Sequence, residues 1–223
     1  MQPTEILIRV FEFVILIFSL SFHECAHAWM ASRMGDQTAR LQGRITLNPR
    51  YHVDPIGTLL FPAMMIFGGG AGRFLFGWAK PTPVITRNFR NLKKGDIYTT
   101  LAGPVSNLLL ALISVIGIAV LILVSRGPLP DDQSLSTNLQ GLFTLCELSL
   151  QINLALFFFN LVPIPPLDGS RVLRYFLPYN AQRGYDGMNI FLSYILMIFV
   201  GGFLVRLFMG PTLGIIYALL ARV

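Results

Sequence analysis

Long, nearly charge-free runs at residues 6–20, 108–124, 142–162 and 190–208 alternate with short polar stretches. With its flanks, each is long enough for a helix of roughly 20 residues, the length that crosses a bilayer core. The pattern predicts a first span over residues 4–34, stopped by Gly35 and Asp36. A second follows Gly95 and Asp96 to Val124, a third covers 138–162, and a last clear one covers 187–208. Between them, Leu41, Ile45 and Leu47 interleave with Arg40, Arg44 and Asn48, which suits a short strand or hairpin within residues 38–55 at the membrane surface. Residues 56–71 are apolar but short, and they contain Pro62 and three consecutive glycines, so a re-entrant segment is expected. Residues 73–94 read as an interfacial loop, 126–136 as a polar hairpin loop and 170–177 as an amphipathic helix. Residues 210–223 are too short to span and are expected at the interface. The fold class is therefore an all-α polytopic membrane protein: about four full transmembrane helices, short re-entrant or interfacial segments and a small surface β element. It forms one membrane-embedded domain, 1–223, with a core over 4–178 and C-terminal helical segments over 187–223.

Composition sharpens this picture. Of 223 residues, 54% are hydrophobic and 13% charged, with mean hydropathy +0.63, against about 25% charged in a soluble domain. Disordered, collagen-like and disulfide-scaffold classes are excluded. The net charge of +6 reads as loop anchoring, with a lipid bilayer rather than nucleic acid as the partner. If residues 56–71 do not cross, 13 of the 17 basic residues share one face, which the positive-inside bias places in the cytoplasm. Glu5, Arg9 and Glu12 break the pattern of a cleaved leader, so the first run is expected to be retained. Cys25 and Cys146 both lie in apolar runs, which gives no support for a disulfide framework.

The chemistry sits at the polar end of the first span. His23-Glu24-Cys25-Ala26-His27 is an H-E-x-x-H sequence. On a helix the two histidines share a face and can meet one metal, while Glu24, about 100° round, reaches a water held there. Two histidines and a glutamate inside a span are costly and point to function. A tetrahedral zinc site needs a third protein ligand. Asp168 is the better candidate, because it follows a span interrupted by Pro163, Pro165 and Pro166, whose freed backbone groups require a wet cavity. The alternatives are that Asp168 caps the following helix and that His52 is the ligand.

Three motifs in this order, H-E-x-x-H, Gly103-Pro104-x-x-Asn107 and Asn160-x-x-Pro163-x-Pro165-x-Leu167-Asp168-Gly169, resemble the site-2 protease family of intramembrane zinc metalloproteases. The stretches GRITLNPRYHVDPIGTLLFP and FGWAKPTPV are similar to its compact prokaryotic branch without a PDZ domain. The resemblance covers roughly residues 18–173. It implies one Zn2+ per chain on His23, His27 and Asp168, with Glu24 as general base. Its substrate would be a transmembrane protein, cut in or near the membrane by an active site opening to the cytoplasm of a prokaryotic cell. It implies a role for Asn160 near the catalytic water and substrate backbone; read on its own, Asn160 equally suits capping of broken-helix carbonyls. Asn107 is open between substrate contact and close helix packing. Rival readings are a membrane zinc transporter and a non-catalytic protein that binds membrane helices. Transport would require further intramembrane ligands, of which only Glu147 is left, and an intact Glu24 argues against a non-catalytic scaffold.

Overall fold

The computed structural model describes residues 2–67, 79–125 and 133–223. The expectations for residues 68–78 and 126–132 lie outside them.

Helix α1 (Pro3–Met34) starts where Pro3 fixes the first turn and Gln2 and Glu5 form a reciprocal capping box, and it ends at Gly35. Helix α4 (Leu92–Ser125) and helix α5 (Gln133–Leu161) follow the second and third apolar runs. The last crossing is built from α8 (Ile190–Leu196), a wide turn over Met197–Gly201 and α9 (Gly202–Leu220). Four described helical segments are long and apolar enough to cross a membrane, the last running over Ile190–Leu220. The chain is thus a multi-pass, all-α membrane protein.

This corrects the expectation of an interfacial segment at 210–223. Gly210 and Pro211 do not stop α9. Pro211 removes only the one backbone donor that would reach the Leu207 carbonyl, and the helix runs on through it, with the Thr212 hydroxyl adding a bond to the Phe208 carbonyl at 2.7 Å. Leu213, Ile216 and Tyr217 then pack with buried Leu220 against Ile118 and Leu150.

The surface β element is also corrected: no strand occurs among the described residues. Residues 38–55 hold a one-turn helix, α2 (Thr38–Leu41), and a tight turn at Pro49–Tyr51. The alternating apolar residues have no partner strand to face; Leu41 is 85% exposed and Ile45 and Leu47 are exposed too. Side chains satisfy the backbone instead. Buried Arg44 donates to the Tyr51 carbonyl, Asn48 accepts from Arg50 N, and Asp54 accepts from Ile56 N and Gly57 N. Asp54 opens a helical stretch of which Pro55–Leu60 and α3 (Phe61–Phe67) are described. At 1.5 Å per residue the thirteen described residues rise about 20 Å.

Helix α4 lies at the centre, packed most heavily on α5 and α1. The contacts use small and polar residues, as expected where apolar burial gives little preference for protein over lipid. Ala28, Ala31 and Ala111 are buried, Ser114 Oγ meets Ser149 Oγ at 2.8 Å, and Asn107 Nδ2 donates to Asn153 Oδ1 at 3.0 Å.

Outside the bundle, fully buried Asp36 joins α1 to the stretch before α4. Its carboxylate accepts from Thr38 N, Thr38 Oγ1, Asn88 Nδ2 and Ile85 N, the last at 2.7 Å. Burial alone would raise its pKa, but the hydrogen bonds from Thr38, Asn88 and Ile85 outweigh burial and hold it below the ordinary carboxylate value. A lowered folded-state pKa contributes stability above the unfolded value of about 4, lost as pH falls through the folded value. Asp36→Asn should therefore cost about 2–4 kcal/mol at pH 7, read from thermal unfolding in detergent. The gap to wild type should close below about pH 4; a constant gap would refute the assignment.

Candidate active site

His23, Glu24 and His27 stand on adjacent turns of α1, about 10–16 Å inside its polar end by helical rise. Each offers a ligand atom within 4.8 Å of the others. Asp168 opens α6 (Asp168–Arg174), just after α5 breaks. Its Oδ2 lies 3.2 Å from His23 Nε2 and 3.3 Å from His27 Nε2, and the two Nε2 atoms are 3.0 Å apart.

The protonation pattern follows from the partners. His27 Nδ1 is 2.7 Å from the Thr99 carbonyl, which can only accept, so the proton is on Nδ1. His23 Nδ1 is 2.7 Å from Asn107 Oδ1. That oxygen is fixed as the acceptor because Asn107 Nδ2 donates to Asn153 Oδ1 and Ser19 O. Neutral imidazoles bound this way present bare lone pairs at Nε2. Asp168 Oδ2 is buried and accepts no hydrogen bond. Two imidazole nitrogens and one carboxylate oxygen thus face one point, and in their ligating protonation states they are a zinc-type donor set. The residues fit a divalent cation.

Two glycines make the convergence possible. A Cβ at Gly103 would stand 2.4 Å from His27 Nε2 and 2.5 Å from His23 Nε2, so α4 can pass beneath the imidazoles only there. A Cβ at Gly169 would stand 2.2 Å from the Leu161 carbonyl, so α6 can fold back on the end of α5 only with glycine. Buried Asp96 of α4 then holds α6 in place, accepting from Arg171 Nη2 at 2.7 Å and Tyr175 Oη at 2.9 Å. Burial and then the Asp96 contact push Tyr175 up to about 12, so it remains a donor at neutral pH.

A cavity of about 260 Å³ opens on this cluster, lined by Glu24, Thr82, Asn160, Asp168 and Arg171 among others. The structure therefore brings His23, Glu24, His27, Asp168 and Asn160 to one cavity. Asn160 Nδ2 donates to Leu156 O at 2.9 Å, on its own helix. Asn107 is 0% exposed and stands behind His23 rather than on the cavity wall. His52 is buried elsewhere, bonded through Nε2 to Thr46 O at 2.8 Å. Three contributors escaped sequence reasoning. Asn153 could have been found as a polar residue seven positions before Asn160 on one helix face, whereas Thr82 and the fit of Gly103 depend on contacts across 58 and at least 76 positions.

Gly103→Ala should reduce zinc retention at least tenfold with the protein still folded, measured as metal content after dialysis against a weak chelator. Retention equal to wild type would show that α4 does not set the spacing.

Residues 11–203 match the model of peptidase family M50. The chain is 42% identical over 165 residues to "Putative zinc metalloprotease YwhC" of Bacillus subtilis, covering 74% of this chain and 68% of that one. It is 30% identical over 206 residues to the similarly named Rip2 of Mycobacterium tuberculosis, covering 90% and 69%. No solved structure matches significantly. Neither the transporter nor the non-catalytic reading is favoured by these relatives. With 193 of its 223 residues in that match, the chain belongs to peptidase family M50, the site-2 proteases, and is an intramembrane metalloprotease.

Proposed function

We propose that this protein hydrolyses peptide bonds of transmembrane segments with one zinc ion held by His23, His27 and Asp168 and with Glu24 as general base. The observation that carries the reading is the convergence of two histidine nitrogens and one carboxylate oxygen within 3.3 Å of one another. Zinc, when bound, polarises a carbonyl and lowers the pKa of a water to about 7.

The chain's own residues do the rest. Glu24 accepts the proton of the attacking water and delivers it to the leaving amine. Asn107, oriented by Asn153, and the Thr99 carbonyl keep both imidazoles in the ligating tautomer. Asn160 stands on the wall where a substrate backbone would lie.

Substrates are membrane proteins. Because an intact helix hides its carbonyls, the substrate must unwind at the cut. The unwound substrate would lie along residues 79–85, a stretch without helix whose Ala79, Pro81, Thr82 and Val84 line the cavity. Residues 1–223 act as one membrane-embedded domain in a prokaryotic cell membrane. The site opens to the cytoplasm, since 13 of 17 basic residues flank that end of the spans.

Purified protein should contain about one zinc per chain. His23→Ala and His27→Ala should each lose it, as should Asp168→Asn in large part. Glu24→Gln should keep zinc while cleavage of a model transmembrane substrate falls by several orders of magnitude. Near wild-type cleavage by Glu24→Gln, or unchanged zinc in both histidine variants, would defeat the assignment.

Orientation has its own test. Cysteines at Lys93 and Arg174 should label from the cytoplasmic side, and those at Gln2 and Arg222 from the other. Labelling of Lys93→Cys only from outside would reverse the topology.

A further inference from the structure

The residues before α4 form a strap fastened along α1. Lys80 N donates to the His52 carbonyl at 2.8 Å, Ile85 N to Asp36 Oδ2 at 2.7 Å and Arg90 N to the Met34 carbonyl at 3.0 Å. Between these fastenings, Thr82 is the point where the strap touches the H-E-x-x-H helix. Its backbone N donates to Glu24 Oε2 at 2.9 Å, and its hydroxyl lies 2.8 Å from the same oxygen and 3.0 Å from the Glu24 carbonyl. Pro81 and Pro83 flank it. Both have fixed φ and neither has an N–H, so Thr82 is the sole backbone donor of that tripeptide and its direction is set by its neighbours.

A glutamate at the edge of a cavity has three side-chain rotors, and holding it in one pose costs conformational entropy. Donors to an ionised carboxylate are among the stronger hydrogen bonds and can offset this. Both donors reach the same carboxylate oxygen, Oε2, the hydroxyl's single proton being shared between it and the Glu24 carbonyl. We propose that Thr82 is the positioning residue of the general base: it binds Glu24 Oε2 and thereby leaves Oε1 to take the proton of the attacking water. This rests on Glu24 being the base, and the experiment separates the two.

Thr82→Val keeps the shape and the backbone donor but removes the hydroxyl; Thr82→Ser keeps the hydroxyl. Cleavage of a model transmembrane substrate, zinc content and melting temperature are measured for both, beside wild type and Glu24→Gln. Thr82→Val should lower kcat about 10- to 100-fold, as loss of such supporting partners does, with KM changed less than about twofold, zinc retained and melting little moved. Thr82→Ser should return kcat to within a few-fold of wild type. Cobalt-substituted protein gives a reading independent of turnover. The visible bands of Thr82→Val should shift in the same sense as those of Glu24→Gln, because both disturb the carboxylate beside the metal. Wild-type kcat in Thr82→Val, a rise in KM alone, or failure of Thr82→Ser to restore kcat would each overturn the proposal. Should Thr82→Val unfold or lose zinc, the cobalt spectrum and kcat of folded Thr82→Ser decide, and values like those of Glu24→Gln overturn it. Full activity in Glu24→Gln would instead remove the base assignment on which the proposal stands.

Discussion

Three side-chain atoms from two distant segments have to meet within 3.3 Å of one another, and much of the bundle is organised to bring them there. A single helix supplies two of them at no extra cost, because positions four apart share a face. The third arrives from α6, whose place depends on Gly169 against α5 and on the Arg171 and Tyr175 contacts with Asp96 of α4.

The supports are themselves polar and buried. Asn107 reaches His23, Asn153 reaches Asn107, and Asn153 Nδ2 in turn donates to the Ser149 carbonyl at 2.9 Å, so the chain of contacts ends on the backbone of α5. Every member has a partner, which is the condition under which a polar network inside a protein specifies one arrangement rather than weakening it. The same seam sets the spacing of α4 and α5 at the height of the imidazoles. Helix packing and ligand geometry are therefore one problem here, solved by the same few side chains.

Much of this was legible in the chain. The spans were readable because hydrocarbon forces each crossing to satisfy its own backbone, and long apolar runs are the result. His23, Glu24 and His27 were readable because their spacing is local, and Asp168 because three prolines before it break a span. Residues 38–55 were misread because their alternating apolar side chains are surface anchors, not one face of a sheet. Residues 210–223 were misread because they were measured apart from the preceding apolar run, whereas one helix continues through Gly210 and Pro211 to Leu220. Thr82 and the tight fit at Gly103 left no signal, since each gains its meaning only from a neighbour on a distant segment.

The first and last of the three converging residues are 145 positions apart, on opposite sides of two complete crossings. A chain still being threaded into the bilayer has its histidine pair long before α5 and α6 exist. With Asp168 as the proposed third ligand, competence to cut comes only with the finished fold. Fragments that retain α1 but lose the distal segments would be inert for the same reason, so damage to the fold silences the enzyme instead of releasing an unguarded one.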